Sequence, residues 1–332
     1  MTAVFPSFGI VGAGAFGTSL AVALRRAGRD VVLWARSPAL AAALHEKREN
    51  ADYLPGVKLD AAIRITNDFA DLDSCSALIL ATPAQHVRAI CKGLAPHCGA
   101  HRPIIIGAKG IELTTHRLMS EIVAEEIPQH PVFMLSGPSF ATEIAKNLPA
   151  ALTLAGESGG EALAQAMSSP MFRLYTTDDI IGTQIGGAIK NVLAIACGIV
   201  AGRQMGENAR AALITRGLAE IIRLGTALGA RPETLMGLSG LGDVMLTCSS
   251  LQSRNTSLGF ALGQGQNLET VLASRHNVTE GISTAAATLG LARRHGVDMP
   301  VVSAVDMILR EHASIDDTIN GLLSRPLRNE AA

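Results

Sequence analysis

The chain has 332 residues, of which 48% are hydrophobic and 17% charged, and its formal net charge is -1. This composition excludes a disordered polar chain, and the near-zero net charge excludes a chain-wide basic surface for nucleic acid or anionic lipid. Because single hydrophobic cores rarely grow beyond about 250–300 residues, the length predicts two domains.

Six short apolar runs, rich in β-branched residues, alternate with helix-length segments through the first half of the chain. This alternation predicts an α/β fold, a doubly wound Rossmann-like parallel sheet with helices on both faces. The predicted strands are Phe8–Val11, Asp30–Trp34, Ala77–Ala81, Ile104–Ala108, Val132–Leu135 and Ala151–Ala155.

No alternating strand pattern follows residue 181, and the second half contains long apolar segments of helical type, such as Ala209–Leu228, Leu268–Ala273 and Ser283–His295. We therefore predict an all-helical C-terminal domain. The expected division is a Rossmann-like domain over residues 1–181 and a helical domain over residues 182–332.

The segment Ile180–Gly202 is apolar and long enough to cross a bilayer, but Lys190 lies near its middle. A central lysine costs about 2.5–3.5 kcal/mol on membrane-insertion scales, so we expect a buried helix and no membrane span.

The cellular compartment is predicted from the cysteines and the N-terminus. The five cysteines are odd in number and form no Cys-x-x-Cys pair, which argues against a disulfide framework and a zinc ribbon. The first seven residues lack the basic start and cleavage site of a secretory signal. We expect a cytoplasmic protein with no metal site and no nucleic-acid partner.

A glycine motif follows the first predicted strand. Gly12, Gly14 and Gly17 stand in the spacing Gly-x-Gly-x-x-Gly, and a helical pattern continues to Ala27, with Gly28 as its C-cap. In this context the glycines permit a tight turn, close approach of a pyrophosphate and close helix–strand packing. A dinucleotide site is predicted, with a ligand-free glycine turn as the alternative.

Arg36 follows the second predicted strand, where an Asp or Glu usually binds the ribose of NAD. A guanidinium there suits the 2′-phosphate of NADP, so we expect NADP(H) as the cofactor, with NAD as a second possibility and a merely solvated Arg36 as the alternative.

Two lysines are candidates for the chemistry. Lys109 follows the fourth predicted strand, at the edge where a doubly wound sheet binds ligands. Lys190 is the one charged residue of its helix, with Gly186 and Gly187 on the same face, where we expect them to leave room for a ligand. A desolvated lysine suits proton transfer to or from an alcohol oxygen, although a structural ion pair remains the alternative.

Downstream, Gly240-Leu-Gly242-Asp243 is interpreted as a glycine-rich turn, and Ser253-Arg254-Asn255 brings together a hydroxyl, a guanidinium and an amide. These donors suit a phosphate, but helix capping would explain Ser253 and Asp243 equally well from the pattern alone.

With these motifs the chain resembles the bacterial type of NAD(P)-dependent sn-glycerol-3-phosphate dehydrogenase from about residue 8 to residue 315. Together the motifs are highly specific. They are Gly-Ala-Gly-Ala-Phe-Gly-Thr at 12–18, Val-Val-Leu-Trp at 31–34, Ala-Lys-Gly-Ile-Glu at 108–112, Leu-Ser-Gly-Pro-Ser-Phe-Ala at 135–141, Ile-Gly-Gly-Ala-Ile-Lys-Asn-Val at 185–192, Ala-Leu-Ile-Thr-Arg-Gly-Leu-Ala-Glu at 212–220, Gly-Leu-Gly-Asp at 240–243, Ser-Arg-Asn at 253–255 and Thr-Glu-Gly at 279–281.

The resemblance implies interconversion of dihydroxyacetone phosphate and sn-glycerol 3-phosphate, a supply for glycerophospholipid synthesis, and a homodimer. It implies Lys190 as the proton acceptor, with Asp243 beside it. The substrate contacts it implies are Lys109, Gly137, Ser139, Lys190, Asp243, Ser253, Arg254 and Asn255. The cofactor contacts it implies are Gly12, Gly14, Ala15, Phe16, Gly17, Arg36, Lys109, Ala141, Arg254, Val278 and Glu280.

Three positions depart from the family pattern, because Ala15, Phe16 and Thr279 stand where related sequences often have Ser, Tyr and Val. These changes bear on cofactor affinity and not on the reaction type. Two alternative functions remain open at this point. One is a related β-hydroxyacid dehydrogenase or ketopantoate reductase, and the other is a non-catalytic NADP-binding redox sensor.

Overall fold

The structure is a computed structural model that describes residues 5–99, 101–274 and 278–326. Residues 1–4, part of the segment in which no secretory signal is expected, lie outside the described residues. Within those ranges the strands are β1 Ser7–Val11, β2 Asp30–Trp34, β3 Glu49–Asn50, β4 Leu54–Lys58, β5 Arg64–Thr66, β6 Ala77–Leu80, β7 Ile104–Ile106, β8 Val132–Ser136, β9 Ala150–Ala155 and β10 Phe172–Thr177.

The α-helices of the described ranges fall into two groups along the chain. Those interspersed with strands are α1 Ala15–Arg26, α2 Pro38–Lys47, α3 Val87–Leu94, α4 Met119–Glu126, α5 Ala141–Ala145 and α6 Gly160–Met167. Those after the last strand are α7 Ile180–Gly202, α8 Glu207–Ala227, α9 Pro232–Leu235, α10 Asp243–Cys248, α11 Arg254–Gly263, α12 Leu268–Ala273, α13 Glu280–Arg294, α14 Pro300–Arg310 and α15 Ile315–Leu323.

The main sheet has eight strands in the order β10-β9-β8-β7-β6-β1-β2-β5. All neighbouring pairs are parallel except β8 and β9, which are antiparallel with Met134 opposite Ala155. The predicted doubly wound parallel sheet is therefore confirmed, except at this one join, where the chain returns through the short helix α5 and reverses direction.

Four strands were absent from the prediction. The short hairpin of β3 and β4 and the three-residue β5 carry too few residues for a visible alternation. The strand β10 lies at a sheet edge, its residues are mostly half-buried or exposed, and polar residues interrupt its apolar run. The six predicted strands are confirmed, with ends that differ by one or two residues.

Side chains on the two faces of the sheet form separate cores. One face carries Phe8, Ile10 and Leu33 against Leu20 and Leu24 of α1. The other face carries Val11, Leu80 and Ile106 against α3 and α4. Successive residues of a strand point to opposite faces, so these continuous apolar runs are buried on both sides, as expected for a doubly wound sheet.

Helix α7 is the centre of the second half, with α8, α10, α11, α13 and α14 packed around it. It is long and apolar enough to cross a membrane, but 89% of its most hydrophobic window is buried inside the protein. Its apolar surface is therefore covered by neighbouring helices, and its composition is that of a core helix.

Glycines allow α7 and α11 to approach closely. Gly198 and Gly202 on α7 face Gly259 and Gly263 on α11, and each pair is four residues apart. A Cβ on Gly198 would lie 2.1 Å from the carbonyl oxygen of Thr256, and one on Gly259 would lie 2.0 Å from that of Ile195. The two backbones are in direct contact, which only residues without a side chain permit.

We expect Gly198→Ala to lower the free energy of unfolding by about 2–3 kcal/mol, because the added methyl group would force the two helices apart. Helix propensity alone would give the opposite sign, since alanine favours a helix over glycine by about 1 kcal/mol. Urea unfolding followed by circular dichroism measures the change. Gly321→Ala is the matched control, because its Cβ would meet nothing within 4 Å; it should be neutral or stabilising. A Gly198→Ala protein as stable as this control would contradict the close crossing.

Candidate active site

The glycine motif lies at the carboxyl end of β1, where the chain turns into α1. Gly12 has φ +120, and its Cβ would lie 2.9 Å from the backbone of Ala81. A Cβ on Gly17 would lie 1.9 Å from the carbonyl oxygen of Gly12. Gly12 is thus required by the conformation of the turn, and Gly17 by the close packing of α1 on the turn after β1.

Gly14 differs from the other two glycines, because its Cβ would meet nothing within 4 Å. It is the N-cap of α1 and provides no side-chain hydrogen bond. The first backbone N–H groups of a helix have no partner within the helix, and the helix dipole places partial positive charge there. Open space beside these donors fits the pyrophosphate of a dinucleotide.

At the end of β2, Ala35, Arg36 and Ser37 occupy the position where a ribose-binding carboxylate would lie. Arg36 is exposed, and Ser37 caps α2 by accepting a hydrogen bond from Leu40. Trp34, two residues before Arg36, is 5% exposed and stacks on Phe69 with ring centroids 4.5 Å apart. The position therefore offers an exposed cation and no carboxylate.

Two lysine ammonium groups share one buried carboxylate. Lys190 Nζ lies 2.5 Å from Asp243 Oδ1, and Lys109 Nζ lies 2.7 Å from Asp243 Oδ2. Lys190 also donates to Thr247 Oγ1 at 2.9 Å. Lys109 reaches this position from the loop after β7, Lys190 from the middle of α7 and Asp243 from the start of α10, so three segments distant in sequence meet at one point.

Burial dominates the electrostatics of this cluster. The Asp243 side chain is fully buried, and that of Lys190 is 10% exposed. The pKa of Lys190 is lowered from 10.5 to about 8, chiefly by desolvation; the Asp243 carboxylate opposes this shift and the nearby Lys109 ammonium contributes to it. Lys190 therefore exchanges its proton close to neutral pH, which suits a general acid or base.

The glycine-rich turn predicted before Asp243 is a helical turn in the structure. Leu238–Gly242 forms a π-helical turn that leads directly into α10. A Cβ on Gly240 would lie 1.9 Å from the carbonyl oxygen of Leu235, which explains the glycine. Turns of this kind are frequent at functional sites, and here the turn fixes the direction of the Asp243 side chain.

The space beside Gly186 and Gly187 is occupied by protein, so the expectation that these glycines leave room for a ligand is wrong. A Cβ on Gly186 would lie 2.6 Å from the carbonyl oxygen of Ser239. One on Gly187 would lie 2.3 Å from Ser136 Oγ and 3.6 Å from the side chain of Lys109. The glycines instead let α7 lie against the π turn and the end of β8.

The loop after β8 contributes to the same site. Gly137, with φ +143, accepts a hydrogen bond from Lys109 Nζ at 3.1 Å through its carbonyl oxygen. Ser139 Oγ donates to the same carbonyl at 2.8 Å. The structure thus brings together five of the residues singled out in the sequence, namely Lys109, Gly137, Ser139, Lys190 and Asp243.

The Ser-Arg-Asn motif lies at the start of α11. Ser253 caps the helix by accepting from the N–H of Thr256. The Asn255 amide donates to Asn191 Oδ1 and accepts from the N–H of Gly281, both at 3.0 Å. Asn255 therefore connects α11 to α7, one residue after Lys190, and to the start of α13.

The remaining candidate cofactor contacts lie around the crevice. Glu280 accepts a hydrogen bond from the N–H of Ala84 at 3.2 Å, and burial raises the pKa of its carboxyl group while Arg254 opposes that shift. The ring of Phe16, beside Ala15 at the start of α1, has its centroid 6.0 Å from Lys109 Nζ. Arg254 and Val278 are exposed, and Ala141 begins α5 against the core beside α1.

Sequence reasoning missed two polar neighbours of the lysine. Thr247 accepts from Lys190 and lies four residues after Asp243, one helical turn further along α10. Asn191 follows Lys190 and pairs with Asn255. The helical spacing of four residues from Asp243 points to Thr247, but only once α10 is known to be a helix. The pairing of Asn191 with Asn255 joins residues 64 positions apart, so no local pattern in the sequence reveals it.

Within residues 5–99, 101–274 and 278–326, no group of three or more His, Cys, Asp or Glu side chains is arranged to hold a metal ion. All five cysteines are buried and free.

The sheet, its glycine turn and the buried lysine–aspartate pair at its carboxyl edge define a dehydrogenase that uses a nicotinamide dinucleotide. Two family models match the chain: NAD-dependent glycerol-3-phosphate dehydrogenase N-terminus over residues 7–162, and the C-terminus of the same family over residues 179–320. The chain belongs to the NAD-dependent glycerol-3-phosphate dehydrogenase family, and it is an oxidoreductase.

Individual relatives agree with this assignment. The chain is 51% identical to glycerol-3-phosphate dehydrogenase (NAD(P)+) of Parvibaculum lavamentivorans, over 99% of this chain and 100% of the relative. The crystal structure of glycerol-3-phosphate dehydrogenase from Coxiella burnetii superposes with a TM-score of 0.94 at 37% identity, covering 97% of this chain and 100% of that chain.

A ketopantoate reductase from Ralstonia eutropha is similar in fold alone, with a TM-score of 0.59 at 14% identity, covering 94% of this chain and 99% of that chain. The comparisons therefore favour the glycerol-3-phosphate dehydrogenase assignment over both alternatives.

Proposed function

We propose that this chain interconverts dihydroxyacetone phosphate and sn-glycerol 3-phosphate by hydride transfer with NADP(H), with NAD(H) also accepted. The reaction supplies glycerol 3-phosphate for glycerophospholipid synthesis in the cytoplasm. The observation that carries the proposal is the buried Asp243 carboxylate between the ammonium groups of Lys190 and Lys109, at 2.5 and 2.7 Å.

The proposed cofactor site follows the carboxyl edge of the sheet. The turn of Gly12, Gly14 and Gly17, with the N–H groups of Ala15 and Phe16, holds the pyrophosphate, and Arg36 binds a 2′-phosphate. The remaining contacts are Lys109, Ala141, Arg254, Val278 and Glu280. When bound, the nicotinamide supplies or accepts the hydride.

The proposed role of Lys190 is to move the proton. During reduction the carbonyl oxygen of the substrate becomes a hydroxyl group, and Lys190 Nζ gives it the proton; in the opposite direction Nζ takes it. Asp243 and Thr247 hold Nζ in place. When Lys190 loses its proton, the Asp243 carboxylate keeps the Lys109 ammonium as its partner, so the buried charge remains paired.

The proposed phosphate site uses Lys109, Gly137, Ser139, Ser253, Arg254 and Asn255. Two ammonium groups and one carboxylate leave the central cluster with a single net positive charge, which favours an anionic substrate although the whole chain is nearly neutral. A non-catalytic redox sensor would not need a buried lysine such as Lys190, with a pKa near 8, at the carboxyl edge of the sheet.

We further propose that the catalytic unit consists of two domains, residues 1–181 and 182–332, and that the chain is a homodimer. The first helix after the sheet, α7, begins at Ile180 and carries Lys190 back to the sheet edge. A site built from both parts is typical of enzymes in which one domain binds the cofactor and the other closes the substrate pocket.

The direct test is oxidation of NADPH by the purified protein with dihydroxyacetone phosphate, with ketopantoate as the competing substrate. We expect turnover with the former, and Lys190→Met should reduce kcat by about 10²–10⁴-fold, the usual contribution of a general acid. Lys92→Met, on the exposed face of α3, is the control and should retain activity. Turnover with ketopantoate alone would refute the substrate assignment, and full activity of Lys190→Met would refute the catalytic role.

The pH dependence follows from the lowered pKa of Lys190. In the reduction direction Lys190 must carry its proton, so kcat/KM should be constant at low pH and fall as the pH rises through about 8. In the oxidation direction it should rise through the same range. Asp243 raises the pKa of Lys190, so Asp243→Asn should move both transitions to lower pH. Transitions unaffected by this substitution would assign the titration to another group.

Arg36→Ala should raise the KM for NADPH by about 10-fold or more, because a charge-assisted contact to the 2′-phosphate contributes about 1.5–3 kcal/mol. The KM for NADH, which lacks that phosphate, should change little and is the internal control. An equal rise for both cofactors would show that Arg36 does not distinguish them.

A further inference from the structure

The loop between β7 and α4, residues 107–118, carries Lys109 near its start and a buried carboxylate three residues later. This carboxylate belongs to Glu112, the last residue of the Ala-Lys-Gly-Ile-Glu motif, which is 7% exposed. Ile111 before it is fully buried and forms an isolated bridge with Leu118. A charged side chain buried at this point needs a partner, and its partners show what holds the loop.

Arg88 on α3 pairs with Glu112. Its Nε and Nη2 lie 2.8 and 2.9 Å from the two carboxylate oxygens of Glu112, which is a bidentate pair. Its Nη1 donates to Glu125 at 2.9 Å and to Glu126 at 2.6 Å, both in the last turn of α4. Two parallel charge-assisted hydrogen bonds fix direction as well as distance. Arg88 therefore holds the loop against both helices.

Gln85, in the turn that leads into α3, holds the loop backbone on both sides of Glu112. Its Nε2 donates to the carbonyl oxygen of Ile111 at 2.8 Å. Its Oε1 accepts from the N–H of Leu113 at 2.9 Å. One side-chain amide thus pairs with the backbone before and after Glu112, while Arg88 pairs with the carboxylate between them.

The loop is also packed closely on both sides at Gly110. A Cβ on Gly110 would lie 2.5 Å from the Cβ of Ala84, the residue before Gln85. On the α13 side it would lie 3.6 Å from Thr284 Oγ1 and 3.8 Å from Glu280 Oε2. The backbone next to Lys109 therefore has contacts toward the sheet part and toward the helical part.

Lys109 needs a fixed backbone because its side chain crosses from the sheet part to the helical part. Its Nζ lies 2.7 Å from Asp243 Oδ2 and 3.1 Å from the carbonyl oxygen of Gly137. A lysine side chain has a flexible four-carbon stem, and holding it in one conformation costs about 2 kcal/mol of rotamer entropy. The position of Nζ between these two oxygens thus depends on where the loop places the Cα of Lys109.

We propose that Gln85 and Arg88 are positioning residues for Lys109. They hold the loop after β7 so that the Lys109 ammonium meets both Asp243 and the phosphate group of the substrate. They act through Lys109 and not by contact with the substrate. The inference rests on the proposed function, in which Lys109 binds that phosphate and Lys190 moves the proton.

The position of Lys109 also affects Lys190 through its charge. Burial is the main cause of the lowered pKa of Lys190, and the Lys109 ammonium lowers that pKa too, while Asp243 and Cys248 raise it. Of these charged or titratable groups around Lys190, Lys109 is the one that the loop carries. If the loop is released and Lys109 withdraws, the pKa of Lys190 rises. The fall of kcat/KM in the reduction direction then moves to higher pH.

Gln85→Leu is the decisive variant, because it removes both backbone hydrogen bonds without changing a charge. The kcat/KM for dihydroxyacetone phosphate, measured with NADPH on the low-pH plateau, should fall about 10-fold, since a misplacement of about 1 Å caused far from the chemistry costs up to about 100-fold. The transition near pH 8 should move to higher pH. Gln165→Leu, the same change at an exposed position of α6, is the matched control and should alter neither quantity.

Arg88→Lys is the second variant. It keeps the positive charge beside Glu112, but an ammonium does not form the bidentate pair of a guanidinium. It should lower kcat/KM and move the transition in the same direction as Gln85→Leu. Arg173→Lys, at an exposed position of β10, is its control. Melting curves show whether each variant is folded.

Hydrogen exchange tests the loop without the reaction. In the ligand-free protein, the peptide spanning residues 110–118 should exchange faster in Gln85→Leu than in the unmodified chain, because the N–H of Leu113 loses its acceptor. Equal exchange in the two proteins would overturn the proposal. So would a fall of kcat/KM with an unchanged pH transition, because the effect would then not pass through Lys109. If the unmodified protein does not turn over dihydroxyacetone phosphate, the proposed function fails, and hydrogen exchange still decides whether Gln85 holds the loop.

Discussion

The buried carboxylate of Asp243 is the interaction on which the proposed active site depends. It is fully buried and holds one ammonium from the sheet part and one from the helical part. An unpaired charge at this depth would be very costly, so both lysines depend on Asp243, and Asp243 depends on at least one of them. The relative position of the sheet and the helices is thereby tied to the electrostatics of the proposed reaction centre, and a shift of either part would leave a buried charge without its partner.

Glycine makes this arrangement possible in three different ways. At the turn before α1, it lets the chain pass close to Ala81 and leaves space for a ligand. On α7, Gly186 and Gly187 let the helix lie against the π turn and β8. Further along α7, Gly198 forms part of a close crossing with α11. Glycine thus leaves space for a ligand at the turn before α1 and permits backbone contact along α7.

The predictable features were those carried by short stretches of sequence. Six of the ten strands, the glycine turn and the burial of Lys190 depend on local periodicity or on one charge in an apolar helix, and the sequence predicts them. The antiparallel join at β9 was missed because the direction of a strand is set by its connection and not by its residues. The half-exposed β10 lacks the continuous apolar run of a buried strand. The contact between Lys109 and Asp243 joins residues 134 positions apart, and only the fold brings them together.

The single tryptophan of the chain has a use that its packing role does not reveal. Trp34 is buried at the end of β2 and stacked on Phe69, two residues before Arg36. The protein therefore contains one indole fluorophore, rigidly held at the end of the crevice proposed for the adenosine half of the cofactor. Its emission carries no contribution from other indoles, so the protein has a built-in optical reporter for the occupancy of that half of the crevice, separate from the chemistry at Lys190.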